Sequence, residues 1–463
     1  MIRARAALLL CALSLLARAA DYTALDRYVA APDPSFRYTL ARTVNSPGLV
    51  AYQLDMVSQS WPTSAEVDKA EWRHWVTIYK PDRISTSTAL LYVDGGDNSP
   101  TPPAPDPLMM LLSAQAGAVV VDLGQVPNEP LTFAGESQPR TEDAIIAYTW
   151  DRYLRTGDER WPARLPMTKA AVRAMDAVTA FLAALPDGSL AVKNFVVAGA
   201  SKRGWTTWSV AQVDPRVVAI APVVIDTLNV SAVFESQWRA YGFWAPAVQD
   251  YVDMGIVNWF GTPQMASLLE IEDPYQYRER LALPSFQMSA TGDQFFLPDS
   301  PRYYFSDLPG EKYLRFVPNV DHGMASLAAI ENLISWFRAV TQNYPRPRFY
   351  WRADRQAGTL TVRVVDTPSQ VLLWQASNPK ARDFRLETIG PSWTSTPISG
   401  TNGIYTVTVG ATQGWSAFFV ELTFPGPADT PLVFTTEVVV TPDVYPFDAL
   451  PGWGSTTQTV RRR

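Results

Sequence analysis

Val197-Ala198-Gly199-Ala200-Ser201-Lys202-Arg203-Gly204-Trp205 decides how this chain is read. A short apolar run, Phe195 to Ala198, precedes the serine, and an amphipathic stretch, Trp205 to Val213, follows it. Strand, tight turn with a serine at its apex, then helix is the setting of a nucleophile elbow. The turn is sharp, so small residues must flank the serine where backbones approach each other. A helix starting there also aims free N–H groups and its positive dipole end at developing negative charge. Arg203 stands where G-x-S-x-G places its second glycine, and Gly204 comes one position later. An ordinary serine cap on a helix after a buried strand would account for the same residues.

Histidine usage narrows the choice. The chain has two, His74 and His322, so a Ser–His mechanism must use one of them. His74 lies in the alternating run Glu71 to Tyr79, which suits a packed histidine in a strand. His322 lies in Phe316-Val317-Pro318-Asn319-Val320-Asp321-His322-Gly323-Met324, between a short strand and a helical segment, Ala325 to Val340. A loop after the last strand is where the triad histidine of an α/β-hydrolase sits. Between serine and histidine comes Pro284 to Asp293, a strand that ends in Gly292-Asp293. Asp293 is placed to accept the imidazole Nδ1–H and hold the tautomer whose Nε2 takes the serine proton. Asp226, after the preceding strand, and Asp321, beside the histidine, are its rivals. The order Ser, Asp, His is that of the α/β-hydrolases.

Composition sets the compartment. Residues 1–19 read as a secretory signal peptide: Arg3 and Arg5, an apolar core from Ala6 to Leu16, then Ala17-Arg18-Ala19. The apolar run is too short to span a bilayer, and no later one approaches about 20 residues. A secreted protein, extracellular or periplasmic, with no membrane span is expected. Cys11, the one cysteine, would leave with the signal, and with it any disulfide, cysteine nucleophile or thiolate metal site. Losing Arg3, Arg5 and Arg18 takes the formal charge from −6 to −9, a poor balance for binding nucleic acid. Asn229-Val230-Ser231 fits an N-glycosylation site in a eukaryotic source.

Eight candidate strands precede residue 320, near 49–58, 72–80, 88–94, 117–123, 194–199, 217–224, 284–290 and 312–317. The first two suit an antiparallel start. From Ala89 onward strands alternate with helical segments at 106–115, 141–155, 167–185, 201–213 and 325–340. Such alternation calls for a mostly parallel eight-stranded sheet with helices on both faces. Continuously apolar runs such as Ala118 to Val121 and Val217 to Ala221 are what its buried strands need. Residues 226–283, rich in aromatics that include Phe234, Trp238, Trp244, Tyr251 and Phe260, read as a helical lid. After Tyr344-Pro345-Arg346-Pro347 the texture becomes β-branched and alternating. The expected organisation is a hydrolase domain over 20–344, an antiparallel β-sandwich over 345–445 and a flexible tail over 446–463.

A second site element is Tyr92-Val93-Asp94-Gly95-Gly96. A Gly-Gly pair after the third strand can supply one oxyanion-hole N–H, from Gly95 or Gly96, and the residue after the nucleophile, Lys202, the other. A plain glycine turn fits the pair too. Arg203, Trp205, Trp238 and Trp244 are candidates for touching substrate. The cations Lys202 and Arg203 would favour an anionic substrate if they face it. Alternatively Arg203 points away and pairs with an acid such as Glu142 or Asp143.

Together, Ala198 to Trp205, Arg164-Leu165-Pro166-Met167, Ala174-Met175-Asp176, Thr291-Gly292-Asp293-Gln294-Phe295-Phe296-Leu297-Pro298-Asp299 and Asn319-Val320-Asp321-His322 resemble the PhoPQ-activated pathogenicity-related protein family, over roughly residues 25–445. That family also contains a secreted autocrine proliferation repressor. The resemblance implies a secreted α/β-hydrolase fold with a β-rich C-terminal part. The elbow alone is also similar to that of glucuronoyl esterases. Family members usually carry a polar residue where Gly323 follows His322. The expected activity is that of a serine hydrolase acting on an ester or amide, with Ser201 as nucleophile, His322 as base and acid, and Asp293 orienting it. No metal or organic cofactor is implied. The competing expectation is a secreted signalling or binding protein, with an extracellular partner, for which turnover is dispensable.

Overall fold

In the computed structural model, which describes residues 22–186, 190–410, 413–451 and 453, one large sheet organises the chain. The expected signal peptide and Cys11 lie outside the described residues. Three strands, β1 (Arg37–Ser46), β2 (Leu49–Ser60) and β3 (Glu71–Pro81), make an antiparallel start. The parallel part comprises β4 (Thr88–Val93), β5 (Val120–Leu123), β6 (Asn194–Ala200), β7 (Val217–Val223), β8 (Ser285–Ala290) and β9 (Lys312–Val317). Its spatial order is β5-β4-β6-β7-β8-β9, joined to the antiparallel part by β3 against β5. The strand order therefore reverses beside β4, so the loops after β4 and β6 open at that switch point, with those after β7, β8 and β9 along the same end of the sheet.

Helices cover both faces. Pro107–Ala116 and Leu327–Thr341 pack Met109, Leu112, Trp336 and Phe337 onto one side. Glu142–Thr156, Arg164–Ala183 and Lys202–Val213 pack Ile145, Met175 and Trp208 onto the other. A sheet covered twice needs apolar side chains on both edges of its pleat, and β4, β6 and β8 are almost wholly buried. This is an α/β-hydrolase fold. The edge strand β1 precedes the eight expected strands. Its residues are exposed or half-buried throughout, so it carries no apolar periodicity to be read.

The C-terminal strands form two stacked antiparallel layers, as expected, and the larger of these continues the central sheet. β12 (Gln370–Asn378), β13 (Thr394–Pro397), β15 (Trp415–Phe424), β16 (Leu432–Thr435) and β17 (Val439–Thr441) extend the central sheet, which runs on as β9-β16-β15-β12-β13 with β17 on β15. A separate antiparallel sheet, β10 (Phe349–Asp354), β11 (Thr359–Val364) and β14 (Ile404–Thr408), packs Leu360, Val362 and Val407 into the core that holds Val420 and Leu422. One layer of the pair is thereby joined to the parallel strands. The physical reason is β15: covered on both faces, it is apolar on both (Phe418 and Val420 on one, Ala417 and Phe419 on the other).

The lid forms as helices Val230–Tyr241, Gln249–Asp253 and Pro263–Glu272 with short 3₁₀ turns between them. Of the expected flexible tail, residues 452 and 454–463 lie outside the described residues, while Phe447 and Trp453 pack on the lid. Phe447 N–H donates to the Arg239 carbonyl, and Trp453 is buried with its ring 4.3 Å from Phe260 and 5.7 Å from Trp244. Among the described residues, no helix is long and apolar enough to cross a membrane.

The seam between β9 and β16 has one register pair, Leu314 with Thr435, so side chains must fasten it. Arg315 reaches Glu421 on β15 at 2.5 Å and Asn332 at 2.9 Å, all three buried. Arg315→Met leaves the Glu421 carboxylate buried without its partner and should cost about 3–5 kcal/mol. Adding Glu421→Leu should recover most of that loss in urea unfolding. A silent single variant would show that the seam does not depend on this pair.

Candidate active site

Ser201 sits between β6 and the Lys202–Val213 helix at φ 55°, ψ −127°, a conformation that a residue with a β-carbon rarely takes. Its N–H donates to the Val223 carbonyl on β7 (2.9 Å), and its carbonyl accepts from Trp205 N–H (2.9 Å). Its side chain makes no capping hydrogen bond, so the hydroxyl is not spent on the helix end. The turn closes because two glycines flank it. A β-carbon on Gly199 would lie 2.7 Å from the Arg203 carbonyl oxygen. One on Gly204 would lie 2.7 Å from Ile225 Cγ2 and 2.8 Å from the Gly199 oxygen. Gly204 thus does the steric work expected of the glycine one place earlier.

Arg203 fits at that earlier place because its side chain leaves sideways. Its guanidinium makes a two-pronged pair with Glu142 (2.8 and 2.7 Å), donates to the Val126 carbonyl, and occupies the space where Gly95 would carry a β-carbon. Lys202 pairs with the same Glu142 and with Asp143 at 3.0 Å. Burial works to raise the Glu142 carboxyl, yet Arg203 and Lys202 outweigh it and hold it below its usual range. Glu129 moves the other way, raised by burial and by the neighbouring Glu142 charge. Behind the elbow, buried Arg164 donates to the Lys202 carbonyl (2.7 Å), lies over the Trp205 ring and pairs with Glu272 of the lid at 3.3 Å. The two cations after the serine are therefore committed to acids. Arg203 is not among the residues that line the cavity at Ser201, and its guanidinium is taken up by Glu142 and the Val126 carbonyl.

Asp293 lies in the turn that follows β8, three residues past Ala290, and is buried. One oxygen accepts from Phe295 N–H (2.7 Å) and Phe296 N–H (3.3 Å), and the other lies 2.9 Å from His322 Nδ1. Neither rival reaches that nitrogen. Asp226 accepts from the Tyr304 hydroxyl, and Asp321 from Gly323 N–H and, at 3.4 Å, from Gln294. The Gln294 side chain also accepts from His322 N–H (2.9 Å), tying the two loops a second time. His322 Nε2 is buried and has no hydrogen-bond partner, so no Ser201–His322 hydrogen bond is present. The Phe295 ring lies 4.3 Å from the imidazole and Phe296 6.1 Å, and both phenylalanines line the same cavity as Ser201.

Residues in the connection between β12 and β13 prop both loops. Leu386 N–H donates to the Gly292 carbonyl (3.0 Å), and Asn319 exchanges two hydrogen bonds, each 2.9 Å, with the Trp393 backbone. Arg382, fully buried, grips Asp299 at 2.5 Å. None of these contacts is visible in sequence, since each joins segments far apart.

The remaining candidates divide. Lys202 and Trp205 line the cavity with Ser201, together with Asp143, Trp150, Thr227, Phe234 and Tyr251. Trp238 and Trp244 do not: they pack on each other at 5.4 Å, and Trp244 on Trp453, because their part of the lid faces the chain's C-terminal residues. Gly95 N–H already donates to Asp94 Oδ1 (2.7 Å), which removes it as an oxyanion donor in this arrangement. Gly96, at φ 108°, has open space around its Cα. His74 is buried between Ser58 Oγ (2.9 Å) and the Gly124 carbonyl (3.1 Å), a packed residue of β3. Among the described residues no group of three His, Cys, Asp or Glu side chains could hold a metal ion.

Residues 25–385 match the family model described as PhoPQ-activated pathogenicity-related protein. The chain belongs to this family. As a PhoPQ-related protein it is 37% identical over 456 residues to the autocrine proliferation repressor protein A of Dictyostelium discoideum, with 92% of each chain covered. Solved structures similar to this PhoPQ-related protein include acetyl xylan esterase 1 from Thermoanaerobacterium sp. JW/SL YS485. There the identity is 15% and the TM-score 0.46, over 70% of this chain and 93% of that one. An acetyl xylan esterase from Paenibacillus sp. R4 gives 13% and 0.48, over 69% and 91%.

Crowding at the elbow makes a test of its packing. Gly204→Ala forces a β-carbon against Ile225 and two carbonyl oxygens and should lower stability by about 1–3 kcal/mol. Thermal unfolding of the purified variant reads this directly. An unchanged melting temperature would mean that the turn tolerates a side chain there.

Proposed function

We propose that this protein is a serine hydrolase that cleaves an ester or amide outside the cytoplasm through an acyl-enzyme. One observation carries the reading: His322 is fixed through Nδ1 by a buried carboxylate while its Nε2 stays buried and unbonded beside the enclosure of Ser201. An imidazole held by one nitrogen with the other free is arranged to take and return a proton.

In this mechanism Ser201 Oγ attacks the carbonyl carbon while its proton passes to His322 Nε2. The imidazolium formed is stabilised by the Asp293 carboxylate at its Nδ1. The developing oxyanion is held by the Lys202 N–H, at the first position of the helix where no intrahelical acceptor exists, and by Gly96 as the second donor. Such a donor contributes about 3–4 kcal/mol to lowering the barrier. His322 then gives its proton to the leaving alcohol or amine, and water repeats the sequence to release the acid and restore Ser201. The apolar leader at 1–19 supports an extracellular or periplasmic site of action.

The name of the Dictyostelium relative, a proliferation repressor, favours a second reading in which the folded surface signals and turnover is dispensable. Labelling separates the two. Ser201 should form an adduct with a fluorophosphonate, read by intact mass, and Ser201→Ala should abolish it. A folded protein that stays unlabelled, or is labelled at another serine, overturns the hydrolase reading.

A further inference from the structure

The cavity bordering Ser201 is small. Its free volume is about 30 Å³, room for about two water-sized groups. We propose that it is the acyl subsite and that the substrate carries a short, uncharged acyl group, of acetyl to propionyl size, on a larger leaving group. This rests on the serine-hydrolase reading and adds the substrate class.

The side is decided by proton transfer. The group that His322 protonates must leave past His322, and that histidine is not part of the cavity wall, while Gly323 and Ala325 beyond it are exposed. The leaving group therefore faces solvent on the histidine side. What remains bonded to Ser201 turns into the cavity.

The size is held by a braced wall. Trp205 donates its indole N–H to the Glu272 carbonyl (2.5 Å) and is covered by the Arg164 guanidinium at 4.6 Å. Trp150 meets Trp205 and Tyr251 edge-on, at 6.1 and 5.5 Å. Phe234 is stacked on Phe260 at 5.2 Å, and Phe260 meets Trp453 at a tilt, 4.3 Å between ring centres. Rings packed on both sides do not rotate away for a longer chain, and forcing methylenes into a filled site is unfavourable.

Charge is decided by pairing. The Lys202 ammonium reaches the wall, but Glu142 and Asp143 hold it, and Tyr251 hydroxyl donates to Asp143 at 2.9 Å. With Arg203 on Glu142, two cations face two carboxylates, leaving no net positive charge for an acyl carboxylate.

The test compares p-nitrophenyl acetate, butyrate, octanoate and succinate on the full chain, alongside fluorophosphonate labelling. The acetate should exceed the octanoate by about 100-fold in kcat/KM, and the succinate should be no better than the butyrate. Phe234→Ala, or, if that fails to fold, the milder Val248→Ala at another residue of the cavity wall, should move the optimum toward longer chains. Protein that labels at Ser201 yet hydrolyses all chain lengths alike, or prefers the octanoate or succinate, overturns the acyl assignment alone. Protein that does not label overturns the hydrolase reading, and this inference with it.

Discussion

A residue with a β-carbon held at φ 55° and ψ −127° has to be over-determined by its surroundings, because the conformation itself costs about 1–3 kcal/mol. Ser201 is held from four directions. β7 takes its N–H, the following helix takes its carbonyl, and two glycines let β6, β7 and the helix close around it. Both requirements explain why the strand before and the helix after are among the most buried elements. Much of the remaining structure can be understood as what is needed to let two cations follow that serine immediately.

Those cations set a second requirement. Lys202 and Arg203 are buried, so their charge must be neutralised within the protein. Glu142 does most of this at the start of the helix Glu142–Thr156, with Asp143 beside it. Arg203 in turn needs a glycine at 95 to lie against. A glycine pair that suits an oxyanion loop is thus half used for packing. Arg164 and Glu272 repeat the solution on the other side of the helix and connect it to the lid.

Legibility in the sequence follows from how local each cause is. β2 to β9 and the five main helices are readable because burial on one or both faces imposes a period on neighbouring residues. β1 is not, since an exposed edge imposes none. Asp293 and His322 stand out as polar residues at strand ends, whereas Asn319, Gln294 and Tyr251 look like any loop or lid residue. The partner of Arg203 is 61 residues away, and chemistry, not spacing, suggests Glu142. Trp238 and Trp244 show the reverse failure. Aromatic character is legible, but the side to which a lid helix turns it depends on Trp453, more than 200 residues later. The shared sheet of the C-terminal strands was hidden for a similar reason: alternation reveals strands, not which edge they join.

The chain is made from its N-terminus, and the strap formed by Phe447 and Trp453 over the lid is therefore among the last parts to exist. The elbow can be assembled once β7 has emerged during translation. The loops bearing Asp293 and His322 lean on Leu386 and Trp393, and the lid leans on the strap. Vectorial synthesis thus separates the appearance of the serine from the closing of its surroundings by more than half of the polypeptide. A chain ending before Phe447 would contain every residue of the elbow and both loop braces but not the strap over the lid. Among the described residues, the last to be made are thus the ones that cover the lid.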